Sequence, residues 1–290
     1  MTKMKRFNKK SNVSWGRLVA IRGIALLRQL LWPTRCKICA APAERWNKTP
    51  FWKETPLSFL ICPRCQKKLV SPASHFCARC AAALPYPTET GFCGKCSDKD
   101  WFFQTARPLH PYYGLARILV TTLKRRRSPS LAYAAAKLYY VHRRNEIQDF
   151  NPECVVGVPM YWVKKRFNRG GVNAPERIAK ALSILLEIPD YTRLLKRKKT
   201  RESQTTVARE ERSLNIRGAF SLRLQPGVDA PFKGKRVLLV DDAFTTGATV
   251  NEVARVLVEA GADSVYVAVL TRAGIRANAI RRRSINVPSP

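Results

Sequence analysis

The chain has 290 residues, enough for one large domain or two smaller ones. Its 46% hydrophobic and 9% aromatic content excludes the collagenous and low-complexity classes. The 53 Lys and Arg outnumber the 20 Asp and Glu for a formal charge of +33, which favours phosphate-bearing partners or anionic surfaces unless the surplus is a solvated face.

Residues 16-GRLVAIRGIALLRQLLW-32 are apolar, but Arg17, Arg22 and Arg28 interrupt them. No uninterrupted run approaches the roughly 20 residues of a transmembrane helix. The pattern predicts a basic amphipathic helix, with Leu18, Ile21, Ala25 and Leu26 close to one face. It would pack on the protein, stay partly disordered or lie on a membrane surface. We read 1–35 as a basic arm. No secretory signal is visible, so a cytoplasmic protein is expected.

Eight of the 9 cysteines follow as four pairs: 36-CKIC-39, 62-CPRC-65, 77-CARC-80 and 93-CGKC-96. Two residues between cysteines let both thiolates meet one ion, and two such knuckles complete a tetrahedral site. Cys36, Cys39, Cys62, Cys65, Cys77, Cys80, Cys93 and Cys96 therefore read as ligands of two structural zinc ions. Disulfides do not suit a reducing compartment, and thioredoxin-like chemistry wants one pair beside a βαβ unit. Consecutive pairing gives spacers of 22 and 12 residues, both suited to zinc ribbons, and a cross-braced pairing has the same composition. Gly94 is placed inside its knuckle, where a positive φ is often useful. The zinc region is assigned to 36–105. Cys154, in a strand pattern, reads as a buried, inert thiol.

From 106 to 275 the text is α/β. Residues 154-CVVGVP-159 predict a strand and 174-APERIAKALSILLE-187 a helix with Ile178 and Leu182 at helical spacing. Residues 236-RVLLV-240 and 264-SVYVAVLT-271 predict buried strands. The helix between them carries Val250, Val253, Ala254, Leu257 and Val258 on its apolar side and ends at Gly261. Strand, turn, helix and strand form a βαβ unit, hence a parallel sheet covered on both faces. Residues 276–290 read as a basic tail.

Ligands of such sheets bind beyond the carboxyl ends of the strands. There Asp241 and Asp242 precede Thr245, Thr246, Gly247, Ala248 and Thr249. The small turn lets backbone N–H groups converge at a helix N-terminus while threonine hydroxyls add donors, the chemistry of a phosphate monoester cradle. It is not a Walker loop, whose lysine and spacing are missing. The two carboxylates suit the hydroxyls of a sugar whose phosphate the turn holds.

The run VDDAFTTGAT between strand and helix resembles the phosphoribosyl diphosphate loop of type I phosphoribosyltransferases. The paired cysteines, 123-LKRRRSPSLA-132, the VPMYW and RGGVN pieces of 158–173, R-K-K-T-x-x-x-Q at 197–204 and R-x-x-N-I-x-G-A-F at 212–220 extend the resemblance to the ComF family. These competence-protein-like chains join a double zinc ribbon to a phosphoribosyltransferase domain. The resemblance covers about 36–275 and departs at Ala174, where the family usually has glutamine.

The resemblance implies a parallel-sheet type I phosphoribosyltransferase fold behind an N-terminal double zinc ribbon. It implies that phosphoribosyl diphosphate, or a related sugar phosphate, binds with magnesium. The 245–249 turn would take the 5-phosphate and Asp241 and Asp242 the ribose hydroxyls. Lys164, Lys165, Arg166 and Arg169 are the nearest cations to the turn approaching the diphosphate. Residues 193–204 would form a hood, with Arg197, Gln204 and Arg212 as polar contacts. The first functional reading is a glycosyltransferase of nucleoside metabolism acting on an acceptor the sequence does not name. The second is an accessory factor in DNA uptake or nucleic-acid processing, meeting single-stranded nucleic acid through 124-KRRR-127, 164-KKR-166 and 196-KRKK-199. Oligomeric state is not encoded in any motif.

Overall fold

The structure, a computed structural model, describes residues 35–42, 60–70, 76–82, 84, 88–97, 100–125, 128–160, 173–198, 216–224 and 230–273. The expected tail, and the arm except Arg35, lie outside these residues. Among the described residues no helix is long and apolar enough to cross a membrane.

Two short helices, α1 (Pro63–Leu69) and α2 (Gly94–Ser97), belong to the cysteine-rich region. Strand β1 (Thr105–Pro111) follows, then helices α3 (Gly114–Arg125), α4 (Pro129–His142) and α5 (Arg144–Phe150). The start of α4 is written locally: Ser128 caps it by accepting from the Leu131 N–H at 3.2 Å, and Pro129 occupies the first turn. Next come β2 (Cys154–Gly157), α6 (Ala174–Leu186) and a small antiparallel pair, β3 (Leu195–Arg197) with β4 (Phe220–Leu222). The chain then runs through β5 (Arg236–Phe244), α7 (Ala248–Glu259) and β6 (Ser264–Arg272).

The main sheet has the order β1-β6-β5-β2 and every pair in it is parallel. Its strands are apolar on both sides, as a doubly covered sheet requires. Leu238, Val240, Tyr266, Ala268 and Leu270 join the core on the α3, α4 and α6 side. Val237, Leu239, Val265, Val267 and Val269 join the opposite core, against Val250, Val253 and Leu257 of α7. The period of two thus divides each strand between two cores. Gly157 marks where β2 meets α6 most closely: a Cβ there would lie 3.0 Å from the Pro175 carbonyl oxygen. Cys154 is fully buried, and burial pushes its thiol up to about 11, so it is the inert thiol expected.

The two cysteine clusters lie on opposite faces of this sheet. Cys36, Cys62 and Cys65 belong to the first core, where α1 packs on α3. Cys77, Cys80 and Cys96 belong to the second, with Phe103 and Phe244. The carbonyls of the 77–80 knuckle are taken by the sheet domain: the Ala106 N–H donates to Arg79 O at 2.7 Å, and Thr105 Oγ1 and Arg107 Nη1 each donate to Ala78 O at 2.7 Å.

Candidate active site and metal centres

The sulfurs of Cys36, Cys39, Cys62 and Cys65 gather within 4.8 Å of one another, as do those of Cys77, Cys80, Cys93 and Cys96. Pairing is therefore consecutive, and the cross-braced alternative is removed. Four ligands at about 2.3 Å from zinc put tetrahedral S···S edges near 3.8 Å. Cys39 and Cys62 sulfurs are 3.6 Å apart, and Cys80 and Cys93 sulfurs 3.7 Å, so both sets fit the ion. Burial, then the neighbouring sulfurs, pushes Cys65 and Cys96 far up, a state that a bound dication would reverse. Burial opposes ionisation at Cys77 as well, but N–H groups of Cys80 and Cys93 outweigh it and bring that thiol down to about 7.

Each ion would be held by one turn and one helix start. The turns close on Ala40 (φ 58°) and Ala81 (φ 52°), directly after the second cysteine of their knuckles. The positive φ expected at Gly94 falls on these alanines instead, because Gly94 opens α2. Four S ligands would leave a bound ion no open position, as in structural zinc sites.

Asp241 and Asp242 lie inside β5, which stays paired with β6 as far as Phe244 opposite Arg272. The sequence pattern ended this strand at Val240, since carboxylates are poor strand interior residues. The pleat reduces their repulsion, without removing it, by sending adjacent side chains to opposite faces. Asp242, on the side of Leu238 and Val240, meets Lys124 of α3, whose Nζ is 3.0 Å from Oδ1. Its own N–H donates to Asp241 Oδ1 at 2.8 Å, and the buried Thr271 hydroxyl donates to its carbonyl at 3.1 Å. Burial, then the Asp242 charge, pushes Asp241 up to about 8, against the opposing pull of Lys124 and Arg197. Asp242 is also raised, by burial, with Lys124 opposing.

Beyond β5 the chain turns at Gly247, in the left-handed region at φ 85°, and enters α7. Thr245 and Thr246 are exposed, Ala248 and Thr249 half-buried, and the Ala248 N–H is 3.3 Å from Thr246 Oγ1. The first N–H groups of α7 have no acceptor within the helix and face the turn. A Cβ on Gly247 would lie 2.6 Å from Phe244 Cζ and 2.8 Å from Trp101, so the turn rests directly on an aromatic floor.

The structure thus brings Asp241, Asp242, Thr245, Thr246, Gly247, Ala248 and Thr249 to one place. Arg197 lies on β3, 5.4 Å from the Phe220 ring centroid, and close enough for its charge to act on Asp241. Lys164, Lys165, Arg166, Arg169, Gln204 and Arg212 lie outside the described residues. A cavity of about 850 Å³ beside Pro159 is lined by Arg177, Lys180, Arg193, Lys196, Arg197 and Arg223, against the acids Glu176 and Asp190. Two further residues escaped the sequence reading: Lys124, which had only its place in a basic run to signal it, and Arg272, which follows the strand as first drawn.

A parallel sheet with this turn at its carboxyl edge, joined to two four-cysteine centres, defines a phosphoribosyltransferase fold carrying a double zinc ribbon. Residues 128–289 match the phosphoribosyl transferase domain family, and the chain belongs to it, as a ComF-like member. It is 29% identical over 216 residues to competence protein F of Haemophilus influenzae, covering 73% of this chain and 90% of that one. It is 28% identical to the DNA utilization protein YhgH of Escherichia coli K12, over 82% of this chain and 89% of the other. Against competence protein ComFC of Streptococcus pneumoniae, identity is 33% over 37% of this chain and 43% of the relative.

Proposed function

We propose that the crevice at the end of β5 binds phosphoribosyl diphosphate with magnesium and passes the phosphoribosyl group to an acceptor. One observation carries the reading: a left-handed glycine turn opening α7 follows two acidic residues at the carboxyl end of β5. The 245–249 turn would hold the 5-phosphate by N–H and hydroxyl donors, and Asp241 and Asp242 would accept from the ribose hydroxyls. Raised carboxyl groups beside one another fit this donor set, because Lys124 and Arg197 offset their burial only in part and ribose hydroxyls with a dication would add to that support. Magnesium, bound through carboxylate and diphosphate oxygens, would supply charge neutralisation on the leaving group. Arg197 and the cations beside it would orient that group as the anomeric C–O bond breaks and the acceptor bonds to the same carbon. The test is release of diphosphate from phosphoribosyl diphosphate and magnesium in the presence of candidate bases and amines. Release that requires Asp241 supports transfer, and none with any acceptor restricts the crevice to binding.

A second reading, an accessory factor in DNA uptake or processing, is favoured by the DNA utilization name of the relative and by the cationic cavity. It requires single-stranded DNA affinity that survives Asp241→Asn with Asp242→Asn and falls steeply with salt. Affinity indifferent to salt would remove phosphate contacts as its source.

A further inference from the structure

Arg272, the last residue of β6, reaches both a metal ligand residue and the phosphate turn. Its Nε donates to the Cys80 carbonyl at 3.0 Å. Its Nη1 donates to the Thr245 carbonyl at 2.6 Å and also to that of Ala273. The guanidinium lies over the Phe244 ring, 4.7 Å from its centroid, which fixes the plane of the fork. Cys80 belongs to the second metal centre, and Thr245 opens the cradle. One rigid group therefore spans the two.

A parallel connection runs through the aromatic floor. Trp101 and Phe103 have centroids 5.0 Å apart, and Phe103 meets Phe244 edge-on at 6.1 Å. The Phe102 N–H donates to Asn251 Oδ1 at 2.8 Å, holding this segment to the first turns of α7. Residues 101–103 follow shortly after Cys96, so the chain that leaves the second centre is the chain that supports Gly247. Among the described residues the first centre has no equivalent. It meets the sheet domain through α1 on α3, on the other face, and among the described residues no hydrogen bond joins it to the 245–249 turn.

We propose that Arg272 is a positioning residue that couples the second metal centre to the phosphate cradle, so that an ion on Cys77, Cys80, Cys93 and Cys96 and a 5-phosphate on the 245–249 turn strengthen each other's binding. The inference rests on the cradle reading above. With the ion bound, the Cys80 carbonyl is fixed and the guanidinium holds Thr245 in place. With the ion lost, the four sulfurs separate, the fork keeps one anchor fewer, and the turn loosens. Linkage makes the effect reciprocal in affinity: a sugar phosphate in the cradle tightens the hold on the second ion and leaves the first alone, with slower release as its expected sign.

The experiment uses the full chain loaded with zinc, and follows zinc release to a chromogenic chelator with and without saturating ribose 5-phosphate. Alkylation and mass mapping assign each phase to its cysteines. Release from the second centre is expected to slow at least ~5-fold with the ligand, and release from the first to stay unchanged. Arg272→Ala should load both ions yet lose the ligand effect, and Arg272→Lys, which keeps the charge without the fork, should not restore it. Binding of ribose 5-phosphate that leaves both rates unchanged, or slowing that persists in Arg272→Ala, overturns the coupling. If ribose 5-phosphate does not bind the wild-type chain, the cradle reading fails separately, and amide exchange then tests the tie. Arg272→Ala must speed exchange at both 77–81 and 245–249, and unchanged exchange at either segment overturns it.

Discussion

Lys124 Nζ lies 3.0 Å from Asp242 Oδ1, tying the last turn of α3 to the carboxyl end of β5. Burial lowers Lys124, but Asp242 and then Asp241 outweigh it and hold the ammonium above its usual value. Lys124→Met leaves a buried carboxylate without its counter-charge. Because the lysine side chain is 46% exposed, solvent screens part of the pair. The expected loss is about 1–2 kcal/mol in denaturant melts near pH 7, between the surface and buried limits. The loss should shrink as pH falls from 7 towards 4, because the raised Asp242 carboxyl takes up its proton earlier than an ordinary one. An equal loss at both pH values would mean that packing, not charge, is what Lys124 supplies.

Asp241 makes stability depend on pH in a defined direction. Its folded value, about 8, exceeds its ordinary 3.8, so the folded state holds a proton that the unfolded chain releases. Stability therefore falls as pH rises from about 4 towards about 8. Asp241→Asn should remove this fall, so the variant melts above wild type at pH 8 and level with it near pH 4. Parallel melting curves across the range would contradict the assignment.

Gly247 tests the turn. Alanine there must adopt φ near 85° and place a Cβ 2.6 Å from Phe244 Cζ. Gly247→Ala is expected to cost about 1–3 kcal/mol and to abolish sugar phosphate binding. A variant that melts and binds as wild type would show that the turn tolerates another geometry.

The metal centres predict two zinc ions per chain. Cadmium substituted for zinc should give two all-sulfur NMR resonances, and Cys80→Ser should remove one while leaving the other. Metal content well under two per chain would overturn the ribbon assignment. Chelation of both ions should unfold the cysteine-rich region, because small modules of this kind draw their folding energy from metal.

Much of this was legible in the chain itself, for physical reasons that differ by element. The cysteine knuckles announce themselves because two-residue spacing has few other uses in reduced proteins, although only the fold shows which pairs share an ion. The βαβ unit around Gly247 is local and strongly patterned. Strand β1 was hidden: TARPLHP contains two prolines, tolerable because β1 is at the sheet edge. Strand β5 was read too short because Asp241 and Asp242 look like its end, while their ladder to β6 continues. Lys124 and Arg272 matter through partners 118 and 27 residues away, as the numbers of Asp242 and Thr245 show, and no local pattern encodes such pairings.

Asp241, Asp242 and the 245–249 turn are proposed to form one ligand site. Thermal unfolding with phosphoribosyl diphosphate and magnesium tests it most directly. At about a hundredfold excess over Kd the stabilisation is about 2.7 kcal/mol, or about 5–10 °C in a chain of this size. This rise is expected in the wild-type chain, and none in Asp241→Asn with Asp242→Asn. No rise at millimolar ligand, or the same rise in the double variant, would contradict it.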